Sequence, residues 1–207
     1  MSLKRKQPCS PLAGQPMKNM PLCPILIHAT RTNCTKVVRE LIQHVDSPTT
    51  IWMAVMTGIQ DASDEIVNIL LDAKFDVNHQ SAAFEGRTVL MMAVEHNRWK
   101  IAGRLIQMGA LIDAQCSIGQ TALMYASQSG LDEMVNLLIF YGADLNLQNH
   151  SDQTALTIAV SACNERTLRC AGYAVIRILL QQKAIITSSD IQSFLDCVAH
   201  WPINNSA

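Results

Sequence analysis

The chain repeats itself. Gly119-Gln120-Thr121-Ala122-Leu123-Met124-Tyr125-Ala126 returns as Asp152-Gln153-Thr154-Ala155-Leu156-Thr157-Ile158-Ala159, and the same pattern stands upstream as Gly86-Arg87-Thr88-Val89-Leu90-Met91-Met92-Ala93. Gly86 to Gly119 and Gly119 to Asp152 are both 33 residues. A second element keeps the phase: Leu105-Ile106-Gln107-Met108-Gly109-Ala110 matches Leu138-Ile139-Phe140-Tyr141-Gly142-Ala143, and Ile112-Asp113 matches Leu145-Asn146. Two separate motifs holding one period point to stacked supersecondary units, none of which can bury its apolar face alone.

Each unit reads as two short antiparallel helices. Thr88, Thr121 and Thr154 stand where a hydroxyl can cap the free amides of a first helix. Gly109 and Gly142 follow the second, where a left-handed residue ends a helix at little cost. The alanines at 54, 93, 126 and 159 let neighbouring helices approach closely. The composition agrees: apolar residues make up 49% of the chain and aromatics only 5%, a mix suited to layered small-sided helices rather than to a sandwich or barrel.

These residues resemble the ankyrin repeat, whose hallmark is T-P-L-H-x-A followed by V-x-x-L-L-x-x-G-A-D-x-N. Here the first part reads Thr121 to Ala126 and the second Val135 to Asn146; the family's Pro is replaced by Val89, Ala122 and Ala155, and its His by Met91, Met124 and Thr157. Thr49 to Ala54, then Ile66 to Leu71 and Asp76-Val77-Asn78, fit a less regular unit. It carries about four extra residues between its helices near Thr57–Asp64 and two more near Ala82–Glu85. Ile25 to Ala29 and Val37 to Ile42 make a shortened first unit, and a last unit carries about eight extra residues within Ser161–Gly172. The resemblance implies an all-α ankyrin-repeat solenoid of about five helix–turn–helix units, near 21–48, 49–85, 86–118, 119–151 and 152–187. A C-terminal capping helix is expected within 188–207, near Ser189–His200.

Before the array, Pro8, Pro11, Pro16, Pro21 and Pro24 crowd the sequence and remove backbone donors. Residues 1–20 are expected to form a flexible, basic, Pro-rich arm, and 21–207 the repeat domain. Residues 1–39 carry seven basic side chains and no acidic one, whereas 40–207 carry the other nine against all seventeen acidic ones, a net charge of −8. A body of that sign repels phosphate, so nucleic acid is not expected to bind the repeats. No apolar run approaches membrane-spanning length, and no long apolar segment follows Met1 to Lys6, so neither a membrane span nor a secretory signal is expected. Lys4-Arg5-Lys6 is a very short basic cluster, so a cytoplasmic location is expected, with nuclear import, or secretion into a host cell if the source is bacterial, as alternatives.

Catalytic chemistry is hard to assemble. No phosphate-binding glycine loop, HExxH or nucleophile elbow occurs. The six histidines are scattered, and the seven cysteines, none in a CxxC pair, read as free thiols. Cys163 and Cys170 beside Glu165, Arg166 and Arg169 form the nearest approach to an activated thiol, with ordinary loop cysteines as the plainer reading. No catalytic residue, metal or cofactor is assigned.

Function is therefore sought at positions the repeat does not need for its own core. By the family resemblance, partners dock on the concave face made by turn tips and first helices. Carried across, that face holds Arg87, Ser117, Ile118, Gln120, His150, Ser151 and Gln153 at the tips, and Glu95, His96, Gln128, Ser129 and Ser161 on the helices. It is polar and nearly uncharged, which fits a protein partner for a monomeric, non-enzymatic adaptor, scaffold or inhibitor. The alternatives are a bacterial effector acting on a host protein and an enzyme whose activity lies in the inter-helix insertions. Trp99, Phe140 and Tyr141 fall at outer second-helix positions, as docking aromatics or as packing for the insertions. The resemblance also makes Asn78 and Asn146 candidates for the asparagine hydroxylase that acts on ankyrin proteins; the plainer reading is that each ties its turn together.

The proline-rich arm has almost no apolar periodicity to pack. A chain beginning at Met20 should melt within about 2 °C of full length, measured by circular dichroism. A large loss would show that the arm is docked on the repeats.

Overall fold

The computed structural model describes residues 22–162 and 169–182, together with residue 186. Among them are ten α-helices and no strand, an all-α helix–turn–helix repeat solenoid. Residues 1–20, the expected capping helix and, within the expected Ser161–Gly172 insertion, residues 163–168 and the side chains of 169–172 lie outside the described residues. The chain divides into two compact units, residues 1–76 and 77–207.

In the first unit, α1 (Leu22–Arg31) packs on α2 (Thr35–Ile42) and on α3 (Pro48–Asp61), while α4 (Asp64–Leu71) packs on α3 and α2. First helices thus form one row and second helices another. Gly58 in α3 makes the close approach possible: a Cβ there would come within 3.3 Å of Thr30 Cγ2 and 3.5 Å of Leu70 Cδ1. Asn33, left-handed at φ 56°, turns the chain from α1 into α2, and its Oδ1 accepts from Ser63 N at 2.7 Å, joining successive inter-helix turns. Arg31–Asp61 and Arg39–Glu65 add ion pairs, but all four side chains are mostly in water and contribute little.

Two details here differ from the sequence-based expectation. The extra residues near Thr57–Asp64 do not form an inter-helix loop. They lengthen α3, which runs 14 residues and stays buried through Ile59. An added helical turn keeps every backbone group bonded, which a buried loop could not do. Ser47 holds the cap position and Pro48 follows in the first turn, where its missing N–H would be unpaired in any case. The second concerns the thiols: Cys23 and Cys116 are free, but Cys34 is disulfide-bonded.

In the second unit the regular pattern appears. First helices α5 (Val89–Glu95), α7 (Ala122–Gln128) and α9 (Ala155–Ala162) form one row, and second helices α6 (Trp99–Gln107), α8 (Asp132–Phe140) and α10 (Arg169–Gln181) form the other. Thr88, Thr121 and Thr154 cap the first helices as expected, each Oγ1 accepting from the amide three residues on at 3.3, 3.3 and 3.2 Å. The first helices are buried almost all round: Val89 to Val94, Ala122 to Ser127 and Ala155 to Val160 are all buried. The second helices bury one stripe at i, i+1 and i+4, namely Ile101, Ala102 and Leu105, then Met134, Val135 and Leu138, then Val175, Ile176 and Leu179. Gly109 and Gly142 end α6 and α8 at φ +92° and +90°, with the next amide bonding back to Leu105 O and Leu138 O, both at 3.0 Å.

Between units the turns are joined by repeated hydrogen bonds. Ser117 N donates to Glu85 O at 2.9 Å, and 33 residues on His150 N donates to Ile118 O at 3.1 Å. The side-chain oxygen of Asn78 accepts from Leu111 N at 2.8 Å, and Asp113, its counterpart one unit later, accepts from Asp144 N at 3.0 Å. Gln80 and Gln115 reach forward in the same way, each donating from Nε2 to a carbonyl of the next turn at 2.8 Å.

Gly119 shows how tightly these tips approach. It sits at φ +78°, and a Cβ there would lie 2.8 Å from His150 N. Gly109, also at positive φ, has nothing within 4 Å of that position. Gly109→Ala should cost only the strain of its backbone, about 1 kcal/mol, and Gly119→Ala distinctly more. At roughly 2–4 °C per kcal/mol for a chain of this size, thermal melts resolve the difference, and equal shifts would show that the tip contact is not structural.

Candidate functional site

A two-turn first helix buried on all sides has little left to offer outward. Each emerges only at its end: Glu95 on α5, Gln128 on α7 and Ser161 on α9 are exposed while the residues before them are not. His96 is also exposed, immediately after α5, and Ser129, immediately after α7, is half-buried. At the tips Ser117, Ile118, His150 and Ser151 are exposed, and Arg87, Gln120 and Gln153 are half-buried. Ile118 stands out among them, an apolar side chain 51% exposed at the point of a turn.

These residues fall into two groups. The first is an ionic cluster around Arg87. Its Nη1 pairs with Glu95 Oε2 and its Nη2 with Glu85 Oε2, both at 2.6 Å, and the guanidinium lies 5.4 Å from the ring centroid of Tyr125 in the next repeat. Burial works against the charge on Arg87, but the hydrogen bond to Glu85 and the fields of its neighbours outweigh it, so its pKa is raised. Burial also pushes the Tyr125 hydroxyl well above its ordinary value, aided by Cys116, whose Sγ lies 3.6 Å from the phenolic oxygen. Tyr125 is thus a neutral phenol. Arg87, though on the expected face, has both terminal nitrogens engaged by carboxylates of its own chain; it braces the tip against α5.

The second group surrounds a hollow of about 200 Å³ lined by Gln120, Gln128, Gln153, Ile158, Ser161 and Ala162. Tips and first-helix ends of two successive repeats meet there. Gln153 is held by its neighbours: its Oε1 accepts from Asn149 Nδ2 at 3.1 Å. The side chains of Gln120 and Gln128 make no hydrogen bond to another described residue. Ile158 and Ala162 were not singled out from sequence, because both read as core positions of α9. Their burial is in fact nearly complete, and they form the floor of the hollow.

Other candidates are placed elsewhere. Ser117 Oγ is engaged by Glu85 O at 2.7 Å. Asn78 is a clamp between turns, adding a bond from Nδ2 to Gly109 O at 3.1 Å, and Asn146 is exposed, its backbone N–H on Asp144 Oδ1 at 2.9 Å. Trp99 and Phe140 are 50% and 83% exposed on the second-helix row, with Lys100 Nζ 5.3 Å from the Trp99 ring and Tyr141 edge-on to Phe140 at 5.2 Å. Among the described residues no group of three or more His, Cys, Asp or Glu could hold a metal ion, and no helix is long and apolar enough to cross a membrane.

The geometry agrees with what comparison finds. A family model described as ankyrin repeats in three copies matches residues 51–149. An ankyrin repeat-containing protein of Treponema pallidum is 38% identical over 104 residues, which cover 49% of this chain and 34% of that protein. The B-cell lymphoma 3 protein homolog of Mus musculus is 34% identical over 120 residues, 58% of this chain and 26% of that one. The human NAD-capped RNA hydrolase NUDT12 is 41% identical over 68 residues, 33% of this chain and 15% of that enzyme. The chain spans about a third or less of the length of these relatives. Repeats of this kind generally mediate protein–protein interaction. With its Thr-capped first helices, its Gly-terminated second helices and its clamped turns, this chain carries ankyrin repeats, matched to the family over residues 51–149.

Proposed function

We propose that the chain is a non-enzymatic binding module, an adaptor, scaffold or inhibitor, that recognises a protein partner through the face made by the tips and first-helix ends of residues 86–160. Ile118 carries this reading. Half of this isoleucine at a turn tip still faces water, and that apolar surface leaves water only when something covers it. Around it the face offers carboxamides, hydroxyls and imidazoles, and its one arginine is neutralised from within the chain. Such a surface suits a partner read by hydrogen bonds. A polyanion would meet a body of net charge −8 over residues 40–207. The segment shared with the NUDT12 hydrolase is 15% of that enzyme, too little to carry its activity across. The cytoplasm is the proposed compartment.

The test begins by capturing partners of the tagged full chain and identifying them by mass spectrometry. Truncating a central apolar anchor costs about 1–2 kcal/mol or more, so Ile118→Ala with Gln128→Ala should weaken the captured interaction about tenfold with little change in Tm. Trp99→Ala with Tyr141→Ala, on the second-helix row, is the control. If the control abolishes binding and the tip pair does not, the opposite row is the interface and this reading falls.

A further inference from the structure

The hollow beside Ile118 narrows what the partner must present, on the reading that this face is the interface. Its size excludes one class of occupant. At about 200 Å³, and open to solvent on one side, it lies below the roughly 300–1,000 Å³ of sites that hold whole cofactors or metabolites. One aliphatic side chain fits it. Its chemistry excludes another class. None of the six lining residues is ionisable, so a charged group entering it would leave water without a counter-charge. Arg87 cannot serve as one, since Glu85 and Glu95 already hold both of its terminal nitrogens at 2.6 Å.

The walls offer something else. Gln120 and Gln128 stand at the rim with side chains bonded to no other described residue, and each carboxamide presents a donor and an acceptor. That is the complement of a peptide group, which offers one N–H and one C=O. The floor, Ile158 and Ala162, is apolar. We propose that the hollow seats a single aliphatic side chain from an uncharged, extended stretch of the partner protein, with the backbone on either side paired to the carboxamides of Gln120 and Gln128. Specificity then rests on the absence of charge as much as on shape, because an acidic or basic residue at that position would be buried unpaired.

Selection of a random-peptide phage library on the immobilised full chain tests this directly. The expected consensus is one Val, Leu, Ile or Met flanked by small uncharged residues, with binding of the synthetic peptide read by fluorescence polarisation. Ser161→Phe, which fills the hollow from an exposed position, and Gln128→Glu, which places a charge at its rim, should each weaken that peptide about tenfold or more. Circular dichroism confirms that both variants stay folded. A consensus rich in Lys, Arg, Asp or Glu, affinity untouched by Ser161→Phe, or no peptide selected at all would overturn the proposal. The same variants separate the two readings on the captured protein partner. Loss with Ile118→Ala and Gln128→Ala but not with Ser161→Phe leaves the interface standing and removes the hollow from it.

Discussion

Burial of the first helices is the constraint from which the rest of the second unit follows. Six consecutive residues of α5, of α7 and of α9 are buried. A helix of two turns that is apolar all round cannot exist alone, and no single partner can cover it. It needs its own second helix on one side and the first helices of adjacent repeats on the others. The stacking of units is therefore a condition for each unit to be folded, and stability is shared between neighbours.

Stacking at a fixed offset then dictates the turns. Because successive repeats differ by one constant displacement, any hydrogen bond formed between one pair of turns recurs in the next. Ser117 on Glu85 and His150 on Ile118 are one such bond made twice, and the Asn78 and Asp113 clamps are another. These bonds consume backbone groups that would otherwise be open to a partner, and they also consume Asn78 and Ser117 Oγ. What remains available for recognition is the remainder: side chains at the tips that the ladder does not use, and the one exposed residue near the end of each first helix.

Within that remainder, two residue types that look alike in sequence do different work. Arg87 and Gln120 occupy the same position in consecutive repeats, just after the tip glycine. Arg87 is drawn inward by Glu85, Glu95 and the Tyr125 ring, and its charge is spent on bracing the turn. Gln120 has no such partners and lines the hollow. The difference arises from neighbours. Glu85 and Glu95 exist only in the one repeat, whereas Gln128 and Ser161 succeed Glu95 at the helix ends of the following two. The face therefore grades from a self-satisfied ionic cluster to an unsatisfied, uncharged hollow.

The sequence alone determined the helical pairs, their period, the threonine caps and the left-handed glycines, because each of these is a local or strictly periodic property. A hydroxyl three residues before a free amide, or a glycine after a helix, acts on neighbours a few positions away. It also pointed to the face on which Ile118, Gln120, Gln128, Gln153 and Ser161 lie, since residues that the repeat leaves unused can be read off the period. Only the tertiary structure decided that the extra residues after Thr57 extend α3, because whether an insertion bulges or adds a helical turn depends on whether a neighbour can bury it. Only it separated Arg87 from the carboxamides and made Ile158 and Ala162 a floor rather than anonymous core. Those outcomes depend on contacts between residues eight to more than thirty positions apart, whose distances a sequence does not carry.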